Sequence, residues 1–183
     1  AIAQAIGQRV EDGGGLLTVM DDRGSVQAAA MLDAGEQANA LSRIIAGEPR
    51  TGNDSGTVMP SELSSFNSDH AVAQALGDAS FAGIPVWRYQ ALDARQDDDV
   101  LLRFRHGLPA VLAREHGQGR SMTLAFALQS QSSALVLDPI FLPFIAESFL
   151  HLSQHRTTRL LFEPGEVLDP SVYADAVIGG EAV

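Results

Sequence analysis

Three residues at helical spacing, Glu147, His151 and His155, are the first that could do chemistry. At i, i+4 and i+8 they can lie along one side of a helix, a spacing that metal ligation could use. They lack the H-E-x-x-H order, and an exposed polar stripe would read the same way. His70 follows Asp69 at a helix start. The two could form an acid–base pair, or simply cap the helix. Asp21, Asp22, Arg23 and Ser25 come just after an apolar strand, where open α/β sheets place ligands, although a charged turn has the same composition. Asp21, Ser25 and His70 are therefore the catalytic candidates, and Glu147, His151 and His155 the metal candidates. No motif calls for a cofactor.

A fourth stretch, Gly117-Gln118-Gly119-Arg120-Ser121, has the look of a phosphate cradle or nucleophile turn. A phosphate loop or dinucleotide fingerprint leads from a strand into a helix, whose N-terminal amides hold the anion. Here strand leads to strand. A G-x-S-x-G elbow needs the same strand-to-helix turn, so a hairpin that requires glycine is the reading.

The elements that would carry these residues follow from periodicity. Ile2, Ile6 and Val10 form one helical stripe, the glycines at 13–15 stop it, and Leu16–Met20 reads as a buried strand. The alanine-rich segment 26–46 reads as helical in at least its second half, and 47–61 as a polar loop that could serve as a lid. A short helix is predicted over 68–78 with Ser68 or Asp69 as N-cap, and a strand over 83–92. From Asp99 to about residue 128, strands separated by short glycine-bearing turns predict an antiparallel meander. Asp138 and Pro139 open a helix to about His155, with Phe141, Ile145, Phe149 and Leu152 facing the core.

The bulk composition narrows the function. The 183 residues hold 12 Lys and Arg against 23 Asp and Glu, a net charge of −11. That charge repels nucleic acid and anionic membranes. The acidic run Asp97-Asp98-Asp99 reads as solvated surface. There is no cysteine, which excludes a disulfide framework, a thiolate metal site and a thiol nucleophile. No apolar run is long enough to span a bilayer, and no signal peptide is visible. The start inside a helix, without methionine, suggests a domain of a longer protein.

The stretches "EDGGGLLTVM", "VLLRFRHGLPAVLAREHGQGRSMTLAFAL" and "LDPIFLPFIAESFLHLS" together resemble the class I glutamine amidotransferase-like domain of bacterial BatA-type membrane proteins, which have an N-terminal double-transmembrane segment. The likeness rests on Gly13 to Leu17, on Gly107, Pro109, Ala110, Arg114, Gly117, Gly119 and Arg120, and on Pro139, Phe141, Pro143 and Phe144. It implies an α/β, three-layer flavodoxin-like fold over residues 1–156, from which the first strand can be missing, with 157–183 as a C-terminal extension. It also implies a parent protein in the bacterial inner membrane, this domain being periplasmic and itself soluble. The cysteine on which amidotransferases depend is absent. The expectation is a non-catalytic interaction or ligand-sensing domain with protein partners at the membrane, and a homodimer through an exposed strand edge. The alternative is a hydrolase using Asp, Ser and His groups.

Overall fold

The structure is a computed structural model that describes residues 2–20, 44–49 and 60–154. Helix α1 (Ile2–Glu11) runs through three connecting residues into β1 (Gly15–Val19), as its stripe and glycine stop require. Val10 is buried, and Gly13 takes the positive φ of 106° that lets the chain reverse. β2 (Glu48–Pro49) is a two-residue strand. It is followed by β3 (Ser61–Phe66), α2 (Ala71–Leu76), β4 (Pro85–Val86) and β5 (Leu92–Asp93). The meander forms from β6 (Asp99–Phe104), β7 (Pro109–His116) and β8 (Gly119–Leu124). A 3₁₀ turn at Ala134–Leu137 leads into α3 (Phe141–Ser153).

Six strands lie in the order β1-β8-β7-β6-β3-β4, with β2 and β5 as a separate pair. Among the described residues only β1 and β8 run parallel, and the other four pairings of this sheet are antiparallel. This overturns the expected three-layer flavodoxin-like fold. The sheet is mixed and curls into a half-barrel with few helices. The reason is the connections. β6, β7 and β8 are joined by turns too short for a crossover helix, so they must alternate in direction. The register shifts in β6 against both β3 and β7, and such irregularities bend a strand.

β7 is buried from Pro109 through Arg114, as a central strand covered on both faces must be. The core gathers Leu101, Leu102, Phe104, Val111, Leu112, Met122, Leu124 and Phe126 from the meander with Phe81, Phe144 and Leu152 from outside it. Phe66, Phe81 and Phe144 form a chain of ring contacts, at centroid distances of 4.8 and 5.3 Å, that ties β3 to α3.

Several local expectations are corrected. β3, serine-rich and not anticipated, forms because Leu63 fills a core site. The strand expected over 83–92 breaks into β4 and β5, since Trp87 and Arg88 turn their amides to the Ser132 carbonyl. α3 starts at Phe141, because Asp138 caps the preceding turn through Ile140 N–H at 3.0 Å. Its buried stripe is Phe144, Ser148 and Leu152, while Phe149 is exposed. Ser148 can occupy the core because its hydroxyl donates to the Phe144 carbonyl at 2.7 Å. Residues 21–43, 50–59 and 155–183, with the calls made on them, lie outside the described residues.

Candidate functional site

Two of the candidate residues, 81 positions apart in sequence, are brought together. His70 stands at the N-cap of α2 and His151 in the last turn of α3, and their rings meet at 4.7 Å between centroids, tilted by 53°. α2 is short and packs on α3, so the N-cap of one helix falls beside the C-terminal turn of the other. Arg120, at the start of β8, donates from Nη1 to the His151 carbonyl at 3.1 Å and pairs through Nε with Glu115 at 3.3 Å. A guanidinium suits that position, since the last carbonyls of a helix carry its negative end. Asp99, opening β6, is close enough to act on both rings electrostatically.

The tautomer of His70 decides what this pair can do. Its Nδ1 accepts the backbone N–H of Val72 at 3.2 Å, which satisfies one of the unpaired amides at the helix start. The neutral ring must therefore carry its proton on Nε2. A general base in a Ser-His-Asp arrangement needs the opposite tautomer, with Nδ1–H held by a carboxylate and Nε2 free to take a proton. Metal ligation through either nitrogen would likewise require His70 to give up the cap. Burial lowers the His70 pKa, opposed by Asp99, and Arg120 lowers it further. Burial also brings His151 down to about 4, assisted by His70 and Arg120. Both rings are neutral at pH 7.

Other candidates fall out differently. His70, not Ser68 or Asp69, is the cap. Asp21, Ser25 and His155 lie outside the described residues, as do Asp22 and Arg23. Glu147 is half-buried one turn before His151, and among the described residues no three acidic or histidine groups are grouped to hold a metal ion. Ser121 is buried with its hydroxyl donating to the Ile44 carbonyl, so it presents no nucleophile. Gly117 sits at φ 61° in the two-residue turn between β7 and β8, as a hairpin asks.

Two clusters went unnoticed in the sequence. Asp98 belongs to no solvated surface: its carboxylate is fully buried and meets Arg114 Nε at 2.7 Å. It also accepts the amides of Gly47 and Arg95, each at 2.8 Å. The second cluster is Tyr89, whose hydroxyl lies 2.6 Å from His106 Nε2 while the rings stack at 5.6 Å. Burial raises the Tyr89 pKa, and the phenol stays protonated. His106 borders an open cleft of about 380 Å³ with Pro60, Ser61, Glu62 and Arg105, where Arg105 and Glu62 pair at 2.9 Å. In the sequence Tyr89 reads only as one residue of the strand expected over 83–92.

No known family's sequence profile matches the chain, and no curated protein matches it either. Solved structures do share its fold. The cytoplasmic protein STM3548 from Salmonella typhimurium is similar at a TM-score of 0.63 and 18% identity, over 82% of this chain and 59% of its own. The cytoplasmic protein STM1381 from Salmonella typhimurium LT2 is similar at 0.56 and 17%, over 81% and 56%. A cold-adapted β-galactosidase from Rahnella sp. R3 is similar at 0.50 and 12%, over 82% of this chain and 20% of the enzyme. The chain thus spans less than two thirds of these proteins, and the likeness is one of fold. The two Salmonella neighbours are described as cytoplasmic proteins, and the mixed, curled sheet overturns the flavodoxin-like description. No helix among the described residues is long and apolar enough to cross a membrane.

Proposed function

We propose that this is a non-catalytic interaction domain that binds a partner by strand addition at β1. The supporting observation is the place of β1 at one end of the sheet, paired only with β8 among the described residues. An open strand edge is a template for another strand. Met20 donates its amide to Leu124 and Gly14 offers its carbonyl to Arg120, so even-numbered residues face β8. By the alternation of a strand, Gly15, Leu17 and Val19 turn their backbone groups outward. The partner in this reading is a second copy, giving a symmetric dimer. The periplasmic placement expected from the motif resemblance is supported by that resemblance only, and the interaction reading does not depend on it.

The hydrolase reading is disfavoured by the tautomer of His70. A screen against ester, phosphoester and peptide substrates should give no turnover. Activity lost on His70→Asn, which keeps a cap but removes the imidazole, would revive that reading. For the dimer, Val19→Pro removes an outward N–H from a residue that is 40% exposed and leaves the pairing with β8 intact. Sedimentation should show a concentration-dependent dimer for the parent chain and a folded monomer for the variant. A parent chain that stays monomeric at high concentration contradicts strand addition between copies.

A further inference from the structure

We infer that the contact between His70 and His151 is an acid-sensitive latch, in which a proton on His70 Nδ1 uncaps α2 and frees it from α3. The geometry supplies the mechanism. N-caps are ordinarily hydroxyls, amides or carboxylates, whose acceptor oxygens survive at mildly acidic pH. Here the acceptor is an imidazole nitrogen, 3.2 Å from Val72 N. Once protonated, Nδ1 is a donor facing a donor, and the hydrogen bond is lost. The new charge also lies against the His151 ring, 4.7 Å away, where Arg120 already opposes protonation.

Among the described residues three charged groups act on the pair. Arg120 opposes protonation of both rings, while Asp99 and Glu115 favour it. Glu115 is largely exposed and engaged with Arg120, so it offsets only part of the cost. Burial, the largest influence on each ring, favours the neutral form. In the unfolded chain a histidine takes its proton near pH 6.5. In the folded chain His70 does so lower, and His151 at about 4. Below pH 6.5 the unfolded or undocked form therefore binds more protons than the docked one. The contribution of the pair is full above about pH 6.5, falls as the pH drops, and is gone near pH 4.

α2 is small. It has six residues, of which Val72 and Ala73 are buried and Leu76 is partly buried against the core, and no acidic residue lies in its first turn to substitute for the cap. Uncapping is thus felt locally before the sheet is affected.

The test is amide exchange of residues 71–76, corrected for intrinsic rates, in the full chain at pH 7 and pH 4.5, beside ¹⁵N spectra of the imidazoles. Protection of α2 should fall by about fivefold, the size of a lost helix cap, in step with protonation of His70. His70→Asn should stay folded and keep its α2 protection at pH 4.5. His70→Asn should also shift the His151 titration upward, since it removes a neighbour that opposes that ring's proton. Equal loss of protection in the parent chain and His70→Asn would overturn the latch, because shared carboxylate protonation would then be the cause. So would protonation of His70 with the Val72 amide unchanged. These readings concern α2 alone and stand whether or not β1 recruits a partner.

Discussion

Asp98→Ala is expected to destabilise the protein by roughly 3–5 kcal/mol, the cost of leaving a buried charge without its partner. The carboxylate joins three parts of the chain. It holds Arg114 of β7 and the amides of Gly47 and Arg95, which bind the 44–49 segment and the turn before β6 to the centre of the sheet. Removing it takes the carboxylate from a guanidinium that is only 8% exposed and releases two amides together. Against a typical domain stability of about 5–15 kcal/mol, the loss is a large fraction of the whole. Asp98→Asn keeps the shape and one acceptor and should cost less. Urea unfolding at pH 7 ranks the two, and an alanine variant within about 1 kcal/mol of the parent would show that the cluster is not what ties these segments to the sheet.

Gly119→Ala should cost about 3 kcal/mol for a different reason. Gly119 has no positive φ, so its need is for space. A Cβ there would run into the carbonyl oxygens of Val10 and Gly14, the end of α1 and the approach to β1. Both obstacles are backbone, so relief requires moving a helix and a strand rather than a side chain, at the upper end of overpacking costs. Gly107→Ala makes the comparison. Gly107 has φ 94° and open space around a Cβ, so it should show only the conformational cost of roughly 1–2 kcal/mol. Thermal or urea unfolding should place Gly119→Ala below Gly107→Ala. The reverse order would mean that α1 does not rest on β8.

These residues also show what was legible in the sequence. The meander could be read because its turns are short and contain glycine, and turn length alone sets strand direction. The helix–glycine–strand start was legible for a similar reason. The parallel pairing of β1 with β8 was not, because it joins residues about 105 positions apart in sequence with no local signal. The flavodoxin-like expectation failed there: helix, glycine stop and strand are local grammar shared by many sheets, and topology is carried by long-range pairing. Asp98 looked like surface because its neighbours Asp97 and Asp99 are exposed. Nothing local says that the middle carboxylate turns inward to meet Arg114. His70 and His151 were each visible as candidates. Their meeting depends on how α2 packs on α3, and their character depends on one backbone amide, neither of which spacing encodes.

The non-catalytic reading is tested most directly by the tautomer of His70, read from long-range ¹H–¹⁵N imidazole spectra of the full chain at pH 7.5. The structure predicts a neutral ring with the proton on Nε2 and an unprotonated Nδ1 coupled to the Val72 amide. A neutral ring with its proton on Nδ1 would mean that Nε2 is free to accept one. In that case His70 would be available as a base and the non-catalytic reading would be contradicted, while strand addition at β1 rests separately on the sheet edge.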